Sequence, residues 1–219
     1  TIFHLLSART RLPVTFGEGV PLSFTSPGRL FFGLLDWLGN EFSSAHLGRL
    51  LENGDLVLAA GPSGSSLAGR TACRHLRSAM IGWGRKRYPV RLRALREAKE
   101  AGLALEEKKS GEDGDEVDEA RRAALSAAIA EIDGLAAAIG RLLAAFPEHS
   151  AEVPYDVEGL CRALSGLIGD PGRTDSEIDR KARGALLARL AEIREEGLFP
   201  GLLLKEALDL VRSAGSSLR

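Results

Sequence analysis

The sequence predicts a mainly α fold of six to eight helices with one or two short strands. Three observations carry this. Apolar residues recur at steps of three and four along most of the chain, the period of a helix with one buried face. Capping residues and Pro stand before those stretches, and Gly, Asn or Pro after them. The composition is rich in Ala, Leu and Arg, and only 5% of residues are aromatic. At 219 residues the chain can bury one sizeable core with room for a small satellite.

The elements follow in order. Residues 2–10 read as a helix with Ile2, Phe3, Leu5 and Leu6 apolar, and its expected partner is the Leu30–Leu38 face. Leu12–Phe16 is apolar and β-branched between turn residues, so it reads as a strand. It would be an exposed edge, or paired with a second copy or with Leu56–Ala59. Gly17, Gly19 and Pro21 break the chain. Ser26 before Pro27 reads as an N-cap with proline at the first helical position. Positions 30, 31, 34, 35, 37 and 38 then recur at helical spacing up to Gly39-Asn40. Ser43 or Ser44 opens a second helix carrying Leu47, Leu50 and Leu51, and Asn53-Gly54 follows it.

Gly61–Ser66 is a loop, and Ser65 or Ser66 is the expected cap of a helix to about Met80 or Trp83, with Cys73, Leu76 and Met80 on one face. Gly82, Gly84 and Pro89 interrupt the pattern. The next helix spans about Pro89–Ala101, with Val90, Leu92 and Leu95 apolar. Residues 102–116 hold an acidic run, Glu106 to Glu116, read as a mobile, solvated loop. Residues 117–146 form the longest predicted helix, with a stripe of Leu125, Ile129, Ile132, Ala136, Ile139, Leu143 and Phe146. That stripe wants an antiparallel partner, and the basic segment before the acidic run is the natural one; a dimer seam is the alternative. Pro147 ends the helix. Residues 156–169 form another. Thr174 with Glu177 reads as a capping box for a helix from Asp175 to Glu196, and Pro200 opens the last one.

The stretch Leu12–Leu51 also carries a family resemblance. A helix ending at Arg11 is followed by Leu-Pro and a strand, then Gly-Glu-Gly-x-Pro-Leu, then Ser-Pro-Gly and a Leu-rich helix. This order resembles the start of the second RecA-like motor domain of UvrD/Rep-type helicases, where the chain departs into a helical insertion. The wording PVTFGEGVPLSFTSPGRLFFGLLDWL is most similar to AddB-type subunits of bacterial ATP-dependent helicase–nucleases, in which the helicase fold is often inactivated. The resemblance covers about residues 1–58. It implies a motor-domain remnant over 1–60, whose sheet neighbours lie outside this chain, and a helical insertion domain over 61–213. Thr1 falls inside a helical pattern and the tail from Ala214 is linker-like, so the chain reads as a piece of a longer polypeptide.

Little in the sequence carries catalysis. No G-x-x-x-x-G-K-[ST] loop is present, and Gly61–Ser66 lacks the lysine. His4, His46, His75 and His149 are scattered, with no H-E-x-x-H or C-x-x-C spacing. Glu195 and Glu196 are adjacent and point apart on a helix. AddB-type subunits resemble iron–sulfur nucleases at their C-terminal end, but Cys73 and Cys161 alone cannot hold such a cluster. No cofactor is expected in this stretch. Two isolated cysteines suggest a reducing, cytoplasmic compartment, and no apolar run reads as membrane-length.

Charge gives the one positive signal. The net charge is −1, yet residues 70–99 hold Arg70, Arg74, Arg77, Arg85, Lys86, Arg87, Arg91, Arg93, Arg96 and Lys99 against the single acid Glu97. Trp83 and Tyr88 flank Arg85-Lys86-Arg87. Basic groups beside aromatics suit a phosphate backbone with stacked bases. The bland alternative is an arginine-rich solvated face paired with acids elsewhere, with Trp83 in the core. Three functions compete. The first is a non-catalytic helical domain of an AddB-like helicase–exonuclease that contacts DNA without sequence preference during double-strand-break processing and recombinational repair. The second is a docking module for a partner helicase subunit that binds no DNA, marked by an uncovered apolar stripe at Ile129–Phe146. The third, a standalone helical enzyme, has little residue support.

Overall fold

Helix α1, Ser26–Gly39, is the element the others pack around. Its apolar residues exceed one stripe, so it is buried on several sides: Leu30, Phe31, Leu34, Leu35, Trp37 and Leu38 are all core residues. The cap is Thr25, not the expected Ser26. Thr25 Oγ1 accepts the Gly28 N–H at 3.1 Å and donates to the Leu22 carbonyl at 2.7 Å, while Ser26 is already helical. A 3₁₀ turn over Leu22–Phe24 folds back on this start, and a Cβ at Gly28 would collide with the Leu22 carbonyl.

The computed structural model describes residues 20–59, 66–109, 116–149, 153–169, 176–197, 199 and 201–218. Among these, eight α-helices form a mainly α fold with no strand. The expected strand Leu12–Phe16 and the helix over 2–10 lie outside the described residues. Leu56–Ala59 makes only an isolated antiparallel bridge, Ala59 with Ser66. Beyond α1 the helices are α2 Ser44–Asn53, α3 Gly69–Ser78, α4 Arg87–Lys109, α5 Glu116–Ala145, α6 Val157–Gly169, α7 Glu177–Glu196 and α8 Leu204–Ser216.

Several boundaries differ from the sequence expectation. Ala68, not Ser65 or Ser66, precedes α3. That helix stops at Ser78, so Met80 takes a left-handed φ of 51° and points away from the face of Cys73 and Leu76, 75% exposed. α4 does not stop at Ala101. It runs through Gly102 to Lys109, and Glu106 within it is buried, so the expected loop over 102–116 is helical at its start; residues 110–115 lie outside the described residues. Ser176 caps α7 by accepting the Asp179 N–H at 3.0 Å, while Thr174 lies outside the described residues. α8 starts at Leu204, where the Glu206 carboxylate accepts the Leu203 N–H at 2.9 Å; Pro200 precedes it and lies outside the described residues.

α4 and α5 form an antiparallel hairpin, the partnership that the α5 stripe asks for. Its register is marked by Arg85 at the Leu143–Pro147 end, Arg96 Nε on Asp133 Oδ1 at 2.7 Å, and Arg121 on Glu106 at 3.4 Å. Ile132, Leu135, Ile139, Leu142, Leu143 and Phe146 are all buried. Glu119–Ala145 is nonetheless long and apolar enough, by length and composition alone, to cross a membrane. Here its apolar side faces α4 and the core, and Glu131 and Asp133 are ion-paired.

The base of the hairpin shares one core with the remaining helices, through Tyr88, Leu92, Ile139 and Phe146. α1 packs on α2, α6, α7 and α8, and α2 packs on α3. One apolar cluster runs from Leu22 to Ala214, with members on both sides of residue 60. Ion pairs fasten its edge: Arg29 with Asp55 at 2.8 Å and Arg212 with Asp36 at 2.6 Å. The Ser26 N–H donates to Asp179 Oδ1 at 2.8 Å and the Ser176 hydroxyl to Asp179 Oδ2 at 2.7 Å, so one carboxylate joins the N-termini of α1 and α7.

Candidate nucleic-acid interface

The basic segment 70–99 divides by what its side chains touch. Arg74 pairs with Glu131 on α5 at 3.0 Å, and the same carboxylate meets buried His75 at 2.8 Å. Arg77 pairs with Glu52 at the end of α2. Arg96 is held by Glu100 and Asp133. These cations join α3 and α4 to their neighbours.

Arg85 is a clamp. Its guanidinium donates to the carbonyls of Leu143, Phe146 and Pro147 at 2.6, 3.0 and 2.8 Å, and it lies 5.7 Å from the Phe42 ring centroid. Those carbonyls close α5, where the helix has no partners of its own and the dipole favours a cation. Tyr88 is a core residue. Its ring is fully buried, its hydroxyl donates to the Phe42 carbonyl at 2.8 Å, and it accepts the Trp37 indole N–H at 3.2 Å. Burial pushes the Tyr88 hydroxyl up to about 12. The sequence placed Arg85 and Tyr88 on the interface because their neighbours Lys86 and Arg87 are there; the start of a helix turns successive residues to different sides.

Arg74 and Arg77 stay exposed within their pairs; exposed outside any such pair are Trp83, Lys86, Arg87, Arg91 and Arg93, with Arg70 on the first turn of α3. Among the described residues none of these five cations has an ion-pair partner. Trp83 is 54% exposed, whereas the other tryptophan, Trp37, is fully buried. The Arg87 guanidinium lies 4.8 Å from the Trp83 ring centroid, a cation–π contact. Val90, 62% exposed, sits between Arg87 and Arg91 on the outer side of α4.

The Trp83 loop is held from behind. The Gly84 N–H donates to the Glu41 carbonyl at 2.7 Å, and the Ser44 N–H to the Gly82 carbonyl at 2.9 Å. The Ser44 hydroxyl bonds the Ile81 carbonyl, and Ile81 is buried. Gly84 has φ +93°, a conformation that an L side chain would strain, and its carbonyl accepts the Arg87 N–H at 3.0 Å to start α4. On the facing loop Glu41 and Phe42 are both left-handed, at φ 52° and 59°. Consecutive non-glycine residues in that region persist only where their surroundings hold them. Sequence spacing carries no signal for this support, which joins loops forty residues apart.

Other candidate chemistry is sparse. Among the described residues no group of three His, Cys, Asp or Glu is arranged to hold a metal ion. Cys73 and Cys161 are buried free thiols, and burial raises both, Cys161 to about 11. The Ile132–Phe146 part of the α5 stripe is covered by the chain itself, so the feature that would mark a docking module is not on offer there. No family model, curated protein or solved structure matches this chain.

Proposed function

We propose that this chain is a non-catalytic helical module of an AddB-like ATP-dependent helicase–nuclease, acting in double-strand-break end processing and recombinational repair. It contacts the DNA backbone without reading sequence. The resemblance over residues 1–58 supplies the family, with 1–60 as motor-domain remnant and 61–213 as helical insertion. One observation supports the contact surface: Lys86, Arg87, Arg91 and Arg93 are exposed and lack ion-pair partners among the described residues, and Arg87 lies against an exposed tryptophan. Unpaired cations are the ones that release counterions when they meet phosphates. Arg74, Arg77, Arg85, Arg96 and Tyr88 leave the contact set because each already has a partner.

The test is fluorescence anisotropy with DNA across a salt series. The wild-type chain should bind at low salt with a steep negative slope of log affinity on log salt. Replacing Lys86, Arg91 and Arg93 by Gln should weaken binding and flatten the slope by roughly 0.7 per lost contact on a single strand. Unchanged affinity and slope would refute the reading and favour the partner-docking role.

A further inference from the structure

We infer that Trp83 and Arg87 form a base-stacking subsite that selects an unpaired base, so that this face distinguishes single-stranded DNA from closed duplex. The inference rests on the DNA-contact reading above and adds to it a specificity-determining residue. Backbone charge alone does not discriminate in this way, because both forms present phosphates.

The geometry points to stacking for three reasons. The Arg87 guanidinium occupies one side of the indole at 4.8 Å, yet more than half of Trp83 is in solvent. The ring therefore retains surface for a second flat partner, and a base is the partner that suits an indole already polarised by a cation. Its loop is pinned to the 41–44 loop by the Gly84, Ser44 and Ile81 hydrogen bonds. An exposed tryptophan on a mobile loop would lose conformational entropy on binding; this one is held in place beforehand. Finally, Arg87 and Arg91 stand four residues apart on one face of the helix, a rise of about 6 Å. That length matches roughly two nucleotides of a strand leading away from the indole. Glu148 lines the cleft beside Lys86 and Pro89 and sets the edge of the basic face.

A base inside a duplex is stacked on both sides and cannot offer its face to Trp83 without being unstacked. A duplex end could, so the comparison needs a duplex closed at both ends. The experiment compares a short oligo(dT), a strand of equal length that is abasic throughout, and a dumbbell duplex, against wild type, Trp83→Ala, Trp83→Phe and the Lys86/Arg91/Arg93→Gln variant. Wild type should prefer oligo(dT) over both other probes. Trp83→Ala should lose about five- to hundredfold on oligo(dT) and little on the others, and Trp83→Phe should recover part of the loss. A second readout needs no variant: Trp37 is buried, so collisional quenching by acrylamide reports Trp83, and oligo(dT) should protect it. Equal affinity for all three probes, unaltered by Trp83→Ala, would overturn the stacking subsite while leaving backbone contact intact, provided the charge variant still weakens binding. Absence of binding to any probe at low salt would overturn both readings.

Discussion

The indole N–H of Trp37 donates to the Tyr88 hydroxyl at 3.2 Å, and that hydroxyl in turn donates a hydrogen bond to the Phe42 carbonyl at 2.8 Å. This relay ties α1, the α1–α2 loop and the start of α4 in the middle of the core. In Tyr88→Phe the Trp37 N–H and the Phe42 carbonyl both lose their partner while buried. Urea unfolding should show a loss of about 1–3 kcal/mol, with the DNA affinity of the folded protein unchanged. A Tyr88→Phe variant of native stability but reduced DNA affinity would return Tyr88 to the interface.

Alkaline titration should be abnormal. The chain has two tyrosines, both buried, and burial raises each to about 12. Both keep their protons more tightly folded than unfolded, where ionisation falls near 10. The stability they supply is therefore fully present below pH 10 and is lost as pH rises toward 12. Absorbance at the tyrosinate band should show no ionisation near 10 in the native protein. It should instead rise near 12, or together with loss of helical circular dichroism.

Arg85→Met keeps the stem length of the side chain but removes the donors to Leu143, Phe146 and Pro147. The end of α5 then loses a charge-assisted clamp, which should cost about 1.5–3 kcal/mol. Hydrogen exchange should show the last turn of α5 opening first. The same charge removed at Arg93 should leave stability within about 0.5 kcal/mol.

Gly84→Ala tests the pinned loop. At φ +93° a Cβ strains the backbone whatever the surrounding space, and the expected loss is about 1–3 kcal/mol. The loop should shift, so acrylamide should reach Trp83 differently even where the far-ultraviolet spectrum is native.

The thiols should be silent. Cys73 and Cys161 are buried, and burial keeps both protonated at neutral pH. A disulfide reagent should react slowly in the native state and rapidly after unfolding.

The helices were legible in the sequence because each carries its own period. The hairpin partnership was legible too, since the α5 stripe from Ile132 to Phe146 needed a covering helix and α4 was adjacent. Helix ends were less so. Thr25 displaces Ser26 as cap because the 3₁₀ turn at Leu22 supplies its second partner, a local turn that the helical period does not mark. The reach of α4 past Gly102 is set by packing against α5, which buries Glu106 despite its charge. On the basic segment, composition located ten cations but could not sort the paired from the unpaired. Glu52, Glu131 and Asp133, which pair with Arg77, Arg74 and Arg96, lie far away in sequence. Carbonyl acceptors such as those on Arg85 leave no trace in the residue types at all.

Arg212 reaches Asp36 across 176 residues. During synthesis, at roughly 5–20 residues per second, that partner emerges some 10–35 s after Asp36 does. Until α6, α7 and α8 follow in turn, α1 is out of the ribosome with the faces meant for them uncovered. The intervening hairpin can fold by itself in the meantime, since its contacts are local and close fast. The nascent chain therefore waits as a finished arm on an unfinished base, and the stretch most in need of chaperone shelter is Leu30–Leu38.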